Sequence, residues 1–339
     1  MAEPRNESLL TRWLPGSSAH ERTLVLLAFF ATYIIWGSSF LAIRYAVETI
    51  PPLFVAGTRH LIAGGLLFAW CWWKGLRPAA AQWRASLVVG ALFFLVGHGS
   101  LHWAEQFVPS GLAAVLIATE PIMIAVLAAA AGQARMTLTS IAGMALGLSG
   151  VAVLMYGNMT GGGRRELIGS VAVLFGAFSW ALGIIYSAKG KLHPDPVMSA
   201  AMSLLSGAFL LLTTGLIVGE GAQLHPSAVT TTSLVSLLYL VVFASLVAFT
   251  AYVWLLQRCS ATLVATHTYV NPVVAVLLGW ALAGESLTLR SLFGAAAVVV
   301  AIVLVGWNSE RKPATEEGTP GRAMPAPARK ANWSARSAR

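Results

Sequence analysis

Residues 24–47 read LVLLAFFATYIIWGSSFLAIRYAV, an apolar run whose one charge, Arg44, stands near its end. As a helix rising 1.5 Å per residue it is about 36 Å long, enough to cross a hydrocarbon core of roughly 30 Å. It is too long for the apolar part of a cleavable signal, and the residues before Leu24 are polar. Comparable runs follow along the whole chain. They lie near 53–73, 85–105, 110–131, 138–156, 167–187, 197–218, 233–256, 261–282 and 289–307, so ten spans are expected with the first placed at 24–46. Pro51-Pro52, Arg77-Pro78, Gly161-Gly162-Gly163, Pro194-Asp195-Pro196 and His225-Pro226 punctuate the joints where helices should stop. The composition agrees: of 339 residues 57% are hydrophobic and 10% charged, with a mean hydropathy of +0.73. A soluble domain carries about 25% charged residues, so a soluble enzyme is excluded. Helices rather than a barrel are implied, because no strand alternation is present and a helix satisfies its own backbone in lipid. The expected class is an all-α integral membrane protein embedded in the lipid bilayer.

Lys and Arg fall unevenly between alternate loops. With the N-terminus inside, the cytoplasmic segments hold most of them, among them Arg12, Lys74, Arg77, Arg135, Lys189 and Arg258, whereas the outer loops hold Arg164, Arg165 and Arg290. Both termini are therefore expected in the cytoplasm of a plasma-membrane protein. The net charge of +9 records this bias, and nucleic-acid binding is not implied. Cys71 and Cys259 both fall near the inner face, where packing is the default role.

The chain also repeats itself. At an offset of 151, residues 103–155 align without gaps to 254–306, with twelve of fifty-three positions identical, including Trp103 with Trp254, Pro121 with Pro272 and Gly143 with Gly294. At an offset of 144, Trp36 pairs with Trp180 and Pro52 with Pro196. The expected division is an N-terminal tail (1–22), a first unit (23–157), a second unit (166–307) and a basic, Pro/Ala/Arg-rich tail (308–339) expected to be disordered. Five spans per unit is an odd number, so the second unit enters from the opposite side. Inverted repeats of this kind suit a transporter that alternates its access between the two sides.

Ionisable groups within spans are costly and mark candidate function. Glu120 lies about 15 Å into the fourth span, followed by Pro121, and its mate in the repeat is Asn271-Pro272. Each proline withholds an N–H from the preceding turn, so carbonyls near Ile117 and His267 become candidate ligands. Glu120 and Asn271 are the primary solute-binding candidates, with Arg59 as a cation seeking Glu120, Glu105 or a solute carboxylate. His267, one turn before Asn271, is a candidate for the inward path. Trp36 and Trp180 offer rings to a planar or amphipathic solute, and Trp103, Trp254, Tyr186 and Tyr252 serve either that end or interfacial anchoring. His98, His102 and Glu105 share one helical face, with Gln106 beside it; this face is expected to line an aqueous outer path or to relay protons. A neighbouring His60 on another face is expected to snorkel.

The remaining motifs read as structural. Gly143 to Gly147 is a GxxxG suited to close packing or to homodimer formation. Glu285 is expected to favour the start of the helix that follows it. No metal ligand set, cofactor motif or nucleotide-binding loop is present in the sequence. An intramembrane serine protease would need its glycines and serine in another order than Gly97-His98-Gly99-Ser100.

Several segments together resemble the EamA-type transporters of the drug/metabolite transporter superfamily, in particular its bacterial ten-span inner-membrane exporters. They are Trp36-Gly37-Ser38-Ser39-Phe40, Pro51-Pro52-Leu53 with Ala56-Gly57-Thr58-Arg59, Ala104-Glu105-Gln106 with Val108-Pro109-Ser110-Gly111, and Tyr269-Val270-Asn271-Pro272 through Gly284-Glu285. The resemblance runs from about 25 to 306. It implies two EamA repeats around a central cavity, and efflux of amino acids, related metabolites or drugs. Protons are a candidate coupling ion. A passive facilitator of the same small solutes is the alternative reading.

Overall fold

The computed structural model describes residues 19–130, 138–157, 163–187, 189–256, 258, 264 and 267–309. The expected tails at 1–22 and 308–339 therefore lie almost wholly outside the described residues, as do Gln257 and Cys259. Among the described residues there are helices and turns and no strand. In chain order the helices are α1 (Ala19–Ala46), α2 (Pro52–Trp73), α3 (Ala80–Ala104), α4 (Ser110–Ile117, resuming as Glu120–Ala130), α5 (Leu138–Gly157), α6 (Gly163–Ser187), α7 (Pro196–Ile217), α8 (Thr231–Tyr239, Leu240–Val247 and Ala248–Leu256), α9 (His267–Ala283) and α10 (Leu289–Ser309). Seven of them, α1 to α4 and α6 to α8, are long and apolar enough to cross a membrane; α5, α9 and α10 carry shorter apolar stretches. Large side chains such as Phe30, Leu66, Leu148, Phe175, Phe209, Leu234 and Phe293 point outward. An apolar exterior on this scale is what lipid, and not water, tolerates.

Local chemistry sets the helix ends. Pro52 and Pro196 each open a helix at a position where no N–H is needed, and Asp195 accepts from the Met198 N–H (2.9 Å) to cap α7. Gly75 and Gly219 close α2 and α7, both at φ +86°, a left-handed conformation that only glycine adopts without strain. These pairs stand 144 residues apart, the offset seen in the sequence. In α3 and α8 the regular helix widens into a π-helical stretch, Gly90–His98 and Leu240–Val247, and these stretches largely overlap at the offset of 151.

Packing follows the same exchange. The mates α2 and α7 pack on each other, as do α5 and α10. The α1–α9 contact has its counterpart in α6–α4, and α1–α8 in α6–α3. Swapping the halves thus maps these helix contacts onto one another. The glycine motif in α5 is used inside the chain: Gly147 faces Ile122 and Ala301, and Gly150 faces the Gly294 carbonyl.

Candidate functional site

The polar residues singled out in the spans fall into two clusters. The first lies where α1, α4, α8 and α9 meet. Trp36 lies 5.1 Å from Tyr252 and 5.0 Å from His267, ring centre to ring centre, and Tyr252 lies 5.7 Å from His267. The indole N–H of Trp36 donates to the Ala244 carbonyl (3.0 Å), in the π-helical stretch of α8. Asn271, with its amide nitrogen turned toward them, donates to the carbonyls of Tyr33 and His267, 3.1 Å each. That carbonyl of His267, read from the sequence as a candidate ligand, is therefore taken by Asn271 itself. Pro272 sits inside a continuous α9. Glu120 stands at the start of the second part of α4, after a break at Ala118-Thr119, in the turn from which Pro121 withholds its N–H. Its carboxyl lies within electrostatic reach of Tyr252. Among the described residues it makes no ion pair.

The second cluster lies nearer the end of the bundle that holds Pro51 and Pro109, between α2, α3, α6 and α8. Arg59 is 6% exposed and donates through Nε to the Ser245 hydroxyl at 2.8 Å. Its electrostatic partner is Glu105, not Glu120. His60 is buried and shares a hydrogen bond of 2.8 Å with His98, so it does not snorkel. The next turn brings His102, whose Nδ1 donates to the His98 carbonyl at 2.7 Å. Phe93, Trp180, His98 and His60 form a ladder of rings, with centroid steps of 4.3, 5.0 and 4.9 Å and interplanar angles of 23° to 25°. His102 and Glu105 are 0% and 1% exposed. The face expected to line an aqueous path is thus closed over in this conformation. Gln106 lies outside the cluster, exposed and folded onto the Trp103 carbonyl (3.0 Å).

Trp36 and Trp180, repeat mates in the sequence, hold matching places. Each packs from the first helix of its own half onto the π-helical stretch of the other half. Arg59 and Trp180 belong to the second cluster, so the six residues read as one solute site from the sequence are split between two. Ser245 was not singled out in the sequence. Its signal was a hydroxyl in the apolar run Leu240–Val247, which only the approach of Arg59 explains.

Two further carboxylates hold the same end of the molecule together. Glu285 accepts from the Ser110 N–H and hydroxyl (2.7 and 2.8 Å) and from the Gly111 N–H (3.1 Å). It caps α4 and not the helix that follows it, because the loop after α9 returns over the start of α4. Glu220, not singled out from sequence, accepts from the N–H groups of Leu53 (2.9 Å) and Phe54 (3.3 Å) at the start of α2. Burial raises its pKa, while those two N–H bonds oppose the rise. Among the described residues no group of His, Cys, Asp and Glu is arranged to hold a metal.

A twofold-repeated helical bundle with an apolar exterior and polar clusters between its halves defines a polytopic membrane protein of the transporter kind. The EamA-like transporter family model matches residues 23–156 and again 167–307, and the chain belongs to that family. It is 38% identical over 281 residues to "Uncharacterized inner membrane transporter YedA" of Escherichia coli K12, covering 82% of this chain and 89% of that protein. "Uncharacterized transporter YvbV" of Bacillus subtilis is 29% identical, over 88% of this chain and 95% of that one. A chloroplastic WAT1-related protein of Arabidopsis thaliana is also 29% identical, over 81% and 67%. A crystal structure of a protein 18% identical superposes with a TM-score of 0.58, over 86% of this chain and 99% of that one, which speaks for the fold alone.

Proposed function

We propose that the protein is a secondary transporter that exports small amphipathic metabolites, amino acids or related compounds, or drugs, by alternating access. Its ten spans form two inverted five-helix repeats in a bacterial inner membrane, with both termini in the cytoplasm. Support for the placement comes from the Lys/Arg bias and from the inner-membrane relative. The observation that carries the mechanism is the exchange symmetry of packing: each half's first helix leans on the other half's π-helical stretch. Two halves that can trade conformations supply two access states from one architecture. The mid-depth cluster of Glu120, Asn271, Trp36 and His267 serves as the solute site. Arg59, Trp180, His98, His102 and Glu105 form the closed outer path, with Gln106 at its mouth.

In this reading Glu120 carries the coupling proton. An ionised carboxyl at mid-depth without a partner is expensive, so it needs either a proton or a solute cation. The test is transport by protein reconstituted in liposomes, with and without an imposed pH gradient. The gradient should drive solute uphill in the wild type, and Glu120→Gln should remove that dependence. Gradient-driven transport that survives in the variant takes the coupling role from Glu120, and purely downhill flux in the wild type identifies a facilitator.

A further inference from the structure

The hydrogen-bond inventory of the first cluster is one-sided. Its N–H donors are all committed to backbone carbonyls. The Trp36 indole serves Ala244, the Asn271 amide serves Tyr33 and His267, and the Nδ1 of His267 lies 2.9 Å from the Val264 carbonyl. A carbonyl only accepts, so Nδ1 holds the proton and Nε2 of His267 is left with a lone pair. Among the described residues, what remains for a ligand is the Nε2 of His267 and the carboxyl of Glu120, both acceptors, with the Tyr252 hydroxyl able to donate as well.

Charge points the same way. Arg59, the cation within the neighbouring span, is bonded to Ser245 and bears on Glu105, His60, His98 and His102, the groups of the other cluster. Arg44 is paired with Glu285, at the end of the bundle. Among the described residues, Glu120 therefore has no ion-pair partner. Tyr252 lies within its electrostatic reach and packs on Trp36, and aromatic rings of this kind attract a cation through their quadrupoles. Around these polar atoms the packing is apolar, with Ala244, Ala248 and Ala275 buried nearby in sequence on the same helices.

We propose that this site recognises a protonated amine carried on an apolar or aromatic body, and rejects carboxylates that carry no amine. An ammonium brings N–H donors to a set of acceptors that lacks them, and it neutralises Glu120 in place of a proton. A carboxylate would meet Glu120 with like charge and would find, among these groups, the Tyr252 hydroxyl as its donor. A zwitterionic amino acid pays part of that penalty, so the bare amine should bind better. This inference rests on the reading of the mid-depth cluster as the solute site.

The experiment compares 2-phenylethylamine, phenylacetamide, phenylacetate and phenylalanine, which share a ring and differ in charge. Binding to detergent-purified wild type is measured by titration calorimetry, and each compound is tested for counterflow in liposomes. The amine should bind about tenfold or more tightly than the amide, acid or amino acid. Glu120→Gln should bring the amine down to the level of the amide, and Glu120→Asp should keep the preference. Thermal unfolding confirms that each variant is folded. Equal binding of the four compounds, a preference for acid or amino acid, an amine preference that survives Glu120→Gln, or no amine binding at millimolar concentration overturns the proposal. Transport of the neutral or anionic compounds without the amine defeats this inference and leaves the transport reading standing. Binding without counterflow of any compound defeats the transport reading instead.

Discussion

The carboxylate of Glu285 receives the backbone N–H groups of Ser110 and Gly111 at 2.7 and 3.1 Å, so a loop of the second half closes the N-terminus of a helix in the first. Its seat is a cradle of glycine: a Cβ on Gly279 would lie 2.4 Å from Oε2. Replacing Glu285 by Ala leaves buried N–H groups at a positive helix end without an acceptor, a loss of about 1–3 kcal/mol. Thermal unfolding in detergent should shift downward for Glu285→Ala and by less for Glu285→Gln, which keeps one acceptor oxygen.

The α1–α9 contact depends on the small size of Gly37. A Cβ there would stand 2.6 Å from the Cβ of Val274 and 3.2 Å from the Asn271 carbonyl. Gly37→Ala should therefore cost about 1–3 kcal/mol by overpacking and should impair transport, since it pushes on the turn that holds Asn271. Gly65, also helical, has nothing within 4 Å of its built Cβ. Gly65→Ala should stabilise by about 0.5–1 kcal/mol through reduced backbone entropy. The same unfolding assay on both variants checks the contrast.

Glu220 carries a pH dependence with a defined sign. Its pKa in the folded protein lies above the ordinary value of 4.5, so the folded state holds this proton more firmly than the unfolded chain. Stability from this group is fully present below the ordinary value and is lost as pH rises through the raised one. Against Glu220→Gln, which does not titrate, the wild type should lose relative stability over that interval and then level off. A series of melting curves of the two proteins from acid to neutral pH measures the difference.

Arg59 and Ser245 are coupled across the two halves of the chain by their 2.8 Å hydrogen bond. Ser245→Ala removes the acceptor and leaves a buried donor, at about 1–3 kcal/mol. Arg59→Met should remove the need for the hydroxyl. In a double-mutant cycle the second substitution should then cost less than the first alone, with a coupling of about 1 kcal/mol or more. Additive effects would show that the pair is not energetically linked.

Much of the architecture was readable from local physics. Apolar length placed the helices, prolines and glycines marked their ends, and offsets of 144 and 151 exposed the repeat, because each of these signals is carried by neighbours in the chain. That Asn271 and His267 share one helix face, a turn apart, also followed from their spacing. Other features depend on partners far away in sequence. No local rule sends Arg59 to Ser245, Glu285 to Ser110 or Glu220 to Leu53, since each pair is joined only when helices from different halves meet. Nor could spacing along α3 show that His102 and Glu105 are closed over, because burial depends on what α2 and α6 bring against them. The sequence by itself determined the membrane class and the repeat. Only the tertiary structure decided which of the polar residues share a site and which of their hydrogen-bonding atoms are already spent, because those are properties of contacts between helices and not of any helix alone.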